Sequence, residues 1–249
     1  FLPIVNLGDG GAARALATGD WHTCAILERG QVKCWGKGGV LGIGNGANRG
    51  DDAGETGDNV LATDLGTGRT AKAISGGADY TCAILDNDSL KCWGNNGYGK
   101  LGLGNTTTRG DGPGEMGDSL ATVDLGTGRT AKEVSTGGGH TCAVLDNDSV
   151  KCWGNNAAGE LGLGDTANRG DNGGEMGDSL NTADLGTGRT ARRISAGWLH
   201  VCAVLDDDSV KCWGQNINGV LGQGGGGNLG DNVGEMGDSL PRVDLALGI

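Results

Sequence analysis

Residues 140–154 read "HTCAVLDNDSVKCWG" and place Cys142 and Cys152 ten positions apart. Nearly the same phrase occupies 22–36 ("HTCAILERGQVKCWG"), 80–94 ("YTCAILDNDSLKCWG") and 200–214 ("HVCAVLDDDSVKCWG"). The first cysteine recurs at 24, 82, 142 and 202, so the step is 58, then 60, then 60. A period of this size belongs to solenoids, arrays and propellers, where each unit buries its apolar face only against a neighbour.

The phrase folds on paper as a hairpin centred on Asn147. Cys142 then faces Cys152, Val144 faces Val150 and Leu145 faces Ser149, around the loop Asp146-Asn147-Asp148. A three-residue hairpin loop usually ends in a left-handed residue. That position holds Gly30, Asp88, Asp148 and Asp208, residue types that tolerate the conformation. The register is thus supported without the cysteines. Opposed residues at a non-hydrogen-bonded site bring their Cβ atoms near the separation a disulfide needs. The expected bonds are Cys24–Cys34, Cys82–Cys92, Cys142–Cys152 and Cys202–Cys212, which imply an oxidising compartment. Zinc is the rival reading, because His22, His140 and His200 precede their cysteines by two positions. Tyr80 breaks that set, and the spacing lacks the short knuckle of structural zinc sites. Reduced buried thiols are the other alternative.

Around the hairpin, "AKEVS" and "LATVDL" are two further strand candidates, and no stretch keeps a 3.6-residue period. The expected fold is all-β: a β-propeller, or a propeller-like stack, of four four-stranded blades. One domain, 1–249, divides into repeats at about 9–66, 67–126, 127–186 and 187–246, with 1–8 an extra terminal strand.

"GGGHTCAVLDNDSVKCWGNNAAGELGLGD" resembles the repeat of the regulator-of-chromosome-condensation family, with its Gly-x-x-His start, its W-G strand and its N-x-x-G-x-L-G ending. All four units match. The resemblance implies a β-propeller, usually of seven blades, and the paired cysteines look like those of secreted bacterial members. It implies no single function, since relatives include a nucleotide-exchange factor, β-lactamase inhibitors, an ultraviolet sensor and interaction modules. The tryptophans at 35, 93, 153 and 213 read as core, whereas Trp21 and Trp198 are extra.

The formal charge is −12, with 19 basic residues scattered among 31 acids. Nucleic acid needs a positive face to displace its counterions, so DNA and RNA are poor partners. No apolar run is long enough for insertion into a membrane. The chain opens on Phe1 without an initiating Met, which reads as a processed or excised piece.

The loop "GDTANRGDNGGEMGDSL" clusters Asp165, Asp171, Glu175 and Asp178, and its counterpart clusters Asp111, Glu115 and Asp118. Calcium favours such oxygen-rich loops, yet the spacing of a calcium hand is missing. The other reading is a solvated acidic loop pinned by Arg169. "RGD" at 49–51, 109–111 and 169–171 follows from the repeat rather than from adhesion, and "GTGRT" lacks the phosphate-loop pattern.

The last-strand motif occurs five times and the hairpin only four, so strand 2–8 is surplus. An unpaired strand is a template for another chain. The expectation is a non-enzymatic, extracellular or cell-surface scaffold without a cofactor, assembling head to tail with itself through that strand into a filament or ring. The alternative is a monomeric protein-binding propeller of the inhibitor or receptor type, which predicts exposed aromatic residues on one face.

Overall fold

Each quoted phrase folds as the hairpin its symmetry suggests. In the computed structural model, which describes residues 4–8 and 11–245, three strands recur in every unit. Unit 1 holds β1 (Ala13–Thr18), β2 (His22–Leu27) and β3 (Val32–Gly36). Unit 2 holds β4 (Ala71–Gly76), β5 (Tyr80–Leu85) and β6 (Leu90–Gly94). Unit 3 holds β7 (Ala131–Thr136), β8 (His140–Leu145) and β9 (Val150–Gly154). Unit 4 holds β10 (Ala191–Ala196), β11 (His200–Leu205) and β12 (Val210–Gly214). All pairing is antiparallel between chain neighbours.

The register is the one the spacing suggests: Cys142 lies opposite Cys152 and Val144 opposite Val150. The Leu145 N–H donates to the Ser149 carbonyl, and Asp148 closes the turn at φ 64°. Asp88 and Asp208 take the same left-handed conformation, and so does Gly30. In all four units the paired cysteine Cα atoms are 4.1 Å apart with the sulfurs at bonding distance. A bulge in the inner strand aims its extra residue at the hairpin tip, so that Lys132 meets Asp148 at 2.5 Å.

The sheets have three strands rather than four. The segment expected as a fourth strand holds each sheet by one main-chain bond, for example Val123 N–H to the Leu90 carbonyl at 2.8 Å. Its burial explains this. Leu120, Val123 and Leu125 turn inward while Ala121 and Thr122 are exposed, which breaks the alternation a strand requires.

What ties this segment down is a lysine. Lys91, buried in mid-strand, donates from Nζ to the carbonyls of Leu65 (3.0 Å) and Gly117 (2.7 Å). It thereby joins the link entering its unit to the loop leaving it. Lys151 and Lys211 repeat the arrangement. In unit 1 the link is the amino-terminal segment: Lys33 holds the Leu7 carbonyl and the Gly57 N–H donates to Asn6. Residues 6–8 are therefore seated on their own unit rather than free. The first residues of the expected surplus strand, up to 3, lie outside the described residues.

The core is assembled at the junctions. Three apolar clusters each span two neighbouring units, as when Tyr80, Cys82 and Ile84 of unit 2 pack with Val134, Ala143 and Trp153 of unit 3. Trp93, Trp153 and Trp213 are fully buried. Gly102 lets Trp153 close in: a Cβ there would stand 2.8 Å from the indole nitrogen. Units run 1 to 4 in chain order, and Gly19, Gly77, Gly137 and Gly197 line one small cavity where all four converge.

Candidate interaction face

The topology separates two ends of every unit. The turn between the first and second strands and the loop after the third lie at the end facing the common cavity. The hairpin tips lie at the opposite end. Main-chain bonds tie the two axis-side loops together within a unit: Lys37 N–H to Trp21, Asn95 to Asp79, Asn155 to Gly139 and Gln215 to Leu199. Others tie neighbouring turns around the axis, from Asp20 N–H to the Ala78 carbonyl and from Gly138 N–H to that of Trp198.

At this end the repeats stop resembling one another. The turn reads "GDWH", "GADY", "GGGH" and "GWLH", and the following loop reads "KGGV", "NNGYGK", "NNAAGE" and "QNINGV". The opposite tips vary less: they read "DND" twice and "DDD" once, with "ERG" in unit 1, and all are polar or glycine. The divergent positions carry exposed apolar side chains: Trp21 (64 %), Tyr98 (56 %), Trp198 (60 %) and Ile217 (57 %). Two of them, Tyr98 and Trp198, border glycines of the unit 3 turn. A Cβ on Gly138 would meet the Trp198 ring at 3.0 Å, and one on Gly139 would lie 3.6 Å from Tyr98. Tyr98 also holds φ 63°, a strained conformation for a bulky side chain and one that concentrates at functional sites.

Beneath this face lie the residues that a catalytic reading would single out. His22, Tyr80, His140 and His200 occupy one repeated position, and the first three face the next unit. His22 Nε2 bonds Thr81 Oγ1 at 2.7 Å, and Thr141 Oγ1 donates to Tyr80 at 3.0 Å. Unit 4 has Val201 where those threonines stand, so fully buried His140 makes no well-formed hydrogen bond through either ring nitrogen. Burial, with neighbouring His200 next, pushes its pKa down to about 4, opposed only in part by the main chain of His200. Burial likewise lowers His22 and His200. Glu160 is buried between Asn155 and the Ala158 N–H, and burial raises its pKa. Buried Lys100 pairs with Asp79 at 2.5 Å and lies 5.0 Å from the Tyr80 ring centre. These groups serve packing between units.

The acidic loops lie away from the axis. Glu115 accepts from the N–H groups of Gly110 (3.0 Å) and Gly112 (2.8 Å), which hold its pKa down, while burial and a hydrogen bond with Glu115 raise that of Asp111. Asp118 is committed elsewhere, to the Thr67 N–H and hydroxyl. The loop thus joins Asp111 with Glu115, and likewise Asp171 with Glu175, but sends Asp118 to Thr67 and Asp178 to Thr127. Among the described residues no group of three acids, histidines or cysteines is arranged to hold a metal ion. The "RGD" arginines are fixed in the sheet edge, Arg109 exchanging main-chain bonds with Gly94. No helix in the described residues is long and apolar enough to cross a membrane.

Comparison with known proteins agrees with this frame. The repeat described as "Regulator of chromosome condensation (RCC1) repeat" matches residues 13–41, 71–100, 131–160 and 191–220. The chain is 28 % identical to the ultraviolet-B receptor UVR8 of Arabidopsis thaliana over 229 residues, covering 90 % of this chain and 46 % of that protein. It is 30 % identical to the mitochondrial RCC1 domain-containing protein RUG3 of the same plant, covering 89 % and 46 %. The chain therefore spans about half the length of the curated relatives it matches. The solved structure of Prp20p from Saccharomyces cerevisiae, reported with its binding properties to Gsp1p and histones, superposes with a TM-score of 0.67 at 18 % identity, covering 94 % of this chain and 51 % of that one.

Proposed function

Since this chain belongs, through its four repeats, to the regulator of chromosome condensation (RCC1) repeat family, we propose that it is a non-enzymatic protein-binding module that acts outside the cytoplasm and engages its partner through the axis face. One observation carries the reading. The axis-side loops differ from unit to unit, and they expose the large apolar side chains of Trp21, Tyr98, Trp198 and Ile217 at one end of the units. Tryptophan and tyrosine on a rigid surface are the residues that most often dominate binding energy. The four cysteine pairs favour an oxidising compartment, and the charge of −12 favours a protein over a polyanion.

The test is capture from an exported protein fraction followed by titration of the captured partner. Replacing Trp21 and Trp198 by Ser should weaken its binding at least 30-fold, the effect of losing about 2 kcal/mol at a hot spot. Replacing Lys72 and Lys132 by Ser, at the hairpin-tip end, should leave the affinity unchanged. The reverse pattern would place binding on the other end of the units.

A second reading, a self-assembling extracellular scaffold, is favoured by the two end units. Leu16 of unit 1 is 65 % exposed, whereas its counterparts Val134 and Ile194 are buried against the preceding unit. With residues 6–8 seated on unit 1, these sheet faces rather than a surplus strand are the surfaces through which copies would join.

A further inference from the structure

The three internal junctions follow one template, and unit 4 carries an unfilled copy of it. In the junctions that follow units 2 and 3 a glycine of the axis-side loop is pressed against the main chain of the next unit, whereas a Cβ on the equivalent Gly39 of unit 1 would lie 3.8 Å from Asp111. A Cβ on Gly99 would meet the Asp171 nitrogen at 2.2 Å, and one on Gly159 would meet that of Asp231 at 2.4 Å. The equivalent Gly219 has nothing within 4 Å. Gly102 and Gly162 lie against the indoles of Trp153 and Trp213, whereas Gly222 meets only Val243 of its own unit. The strand beside these glycines is likewise uncovered: Val204 is half-buried, while its counterpart Val144 is buried in a junction.

Unit 1 presents the complementary parts. Leu16 projects where Val134 fills the junction of units 2 and 3. Trp35 is only half-buried, although its counterparts in units 2 to 4 are fully enclosed. Thr23 occupies the position from which Thr81 reaches His22, so against unit 4 it would face His200.

We propose that the open face of unit 4 receives unit 1 of a second copy of this chain, in the register of the internal junctions. Leu16 then packs against Cys202 and Val204, and Trp35 covers Gly222. This proposal rests on the second reading above and adds its register. No covalent link is needed across the contact, because both halves of the link are already in place. On the unit 4 side Leu240 is buried and the Val243 N–H donates to Val210 at 2.8 Å. On the unit 1 side the Asn6 carbonyl receives the Gly57 N–H at 2.8 Å and the Leu7 carbonyl receives Lys33 Nζ at 2.7 Å. The contact is head to tail, so one copy leaves a further face open and growth continues until the curvature closes it.

Sedimentation and light scattering of the 249-residue chain, with its cysteines paired, test this over a range of concentrations. The expected result is a mass above that of one chain that rises with concentration. Leu16→Asp and Val204→Asp should each weaken association at least tenfold while preserving the melting transition. Mixed, the two variants should form a one-to-one complex and stop there, because each retains the face the other lacks. A single chain at every concentration would overturn both the scaffold reading and this contact. Assembly undisturbed by either substitution would leave self-association standing and overturn the register.

Discussion

Replacing Cys142 and Cys152 together by Ser should lower the stability of the chain by about 3 kcal/mol and its melting temperature by about 6–12 °C, without changing the fold. A closed loop of this length is worth about 3 kcal/mol in the chain-entropy model, and a chain of this size shifts about 2–4 °C per kcal/mol. The hairpin itself survives the loss, because Val144 still faces Val150 and Asp148 still holds the left-handed turn. The bridge matters more here than in a larger core. Each sheet has three strands, and its apolar face is covered only by its neighbours. Serine also leaves two hydroxyls in a fully buried site, so the loss should be no smaller than the loop entropy alone. Thermal unfolding of the double variant beside the parent under non-reducing conditions gives the number. An unchanged melting temperature would mean that the hairpin is held shut by its packing.

Acid should weaken the protein well before its carboxylates titrate, and His140 should carry the largest single share. In the folded chain its pKa lies near 4, against an ordinary value of 6.5. The unfolded chain therefore binds the extra proton first. The contribution of the neutral, buried ring is complete above pH 6.5 and is lost as the pH falls towards 4. Across that window the loss is about 3 kcal/mol, from about 1.4 kcal/mol per pH unit. His22 and His200 are shifted in the same direction. His140→Tyr removes the titration while placing there the residue that unit 2 carries as Tyr80. Denaturant unfolding at pH 7 and pH 4.5 should show a smaller drop for this variant than for the parent. An equal drop would show that the acid sensitivity lies elsewhere.

The hairpin was legible because two independent constraints agree on one register. The cysteine spacing and the left-handed residue at Gly30, Asp88, Asp148 and Asp208 both centre the turn at the same place. The fourth strand was not. "LATVDL" satisfies a strand's composition, but its inward residues are spaced three and then two apart, and composition does not reveal that. The lysine clamp was missed for a related reason. A lysine in mid-strand is ordinarily read as solvent-facing, and only the link folding over it buries Lys91 and Lys151. The sequence held a signal in "VKCWG", where the lysine never varies among the four units.

The axis face was hidden by the repeat itself. Aligning the units draws attention to what they share, and what they share is the frame. Trp21, Tyr98 and Trp198 fall in the few positions that the alignment leaves unmatched. Only the fold shows that those positions lie at one end of the units, the end at which all four contribute to one cavity. The open faces of units 1 and 4 were equally invisible, since Leu16, Trp35 and Val204 are apolar like their buried counterparts and differ in what covers them.

Hydrogen exchange of the chain alone and with its captured partner tests the assignment of the binding face most directly. The account predicts added protection at 19–21, 77–79, 97–99 and 197–199, with no change at the hairpin tips. Protection confined to the tips at 28–30, 86–88, 146–148 and 206–208 would contradict it.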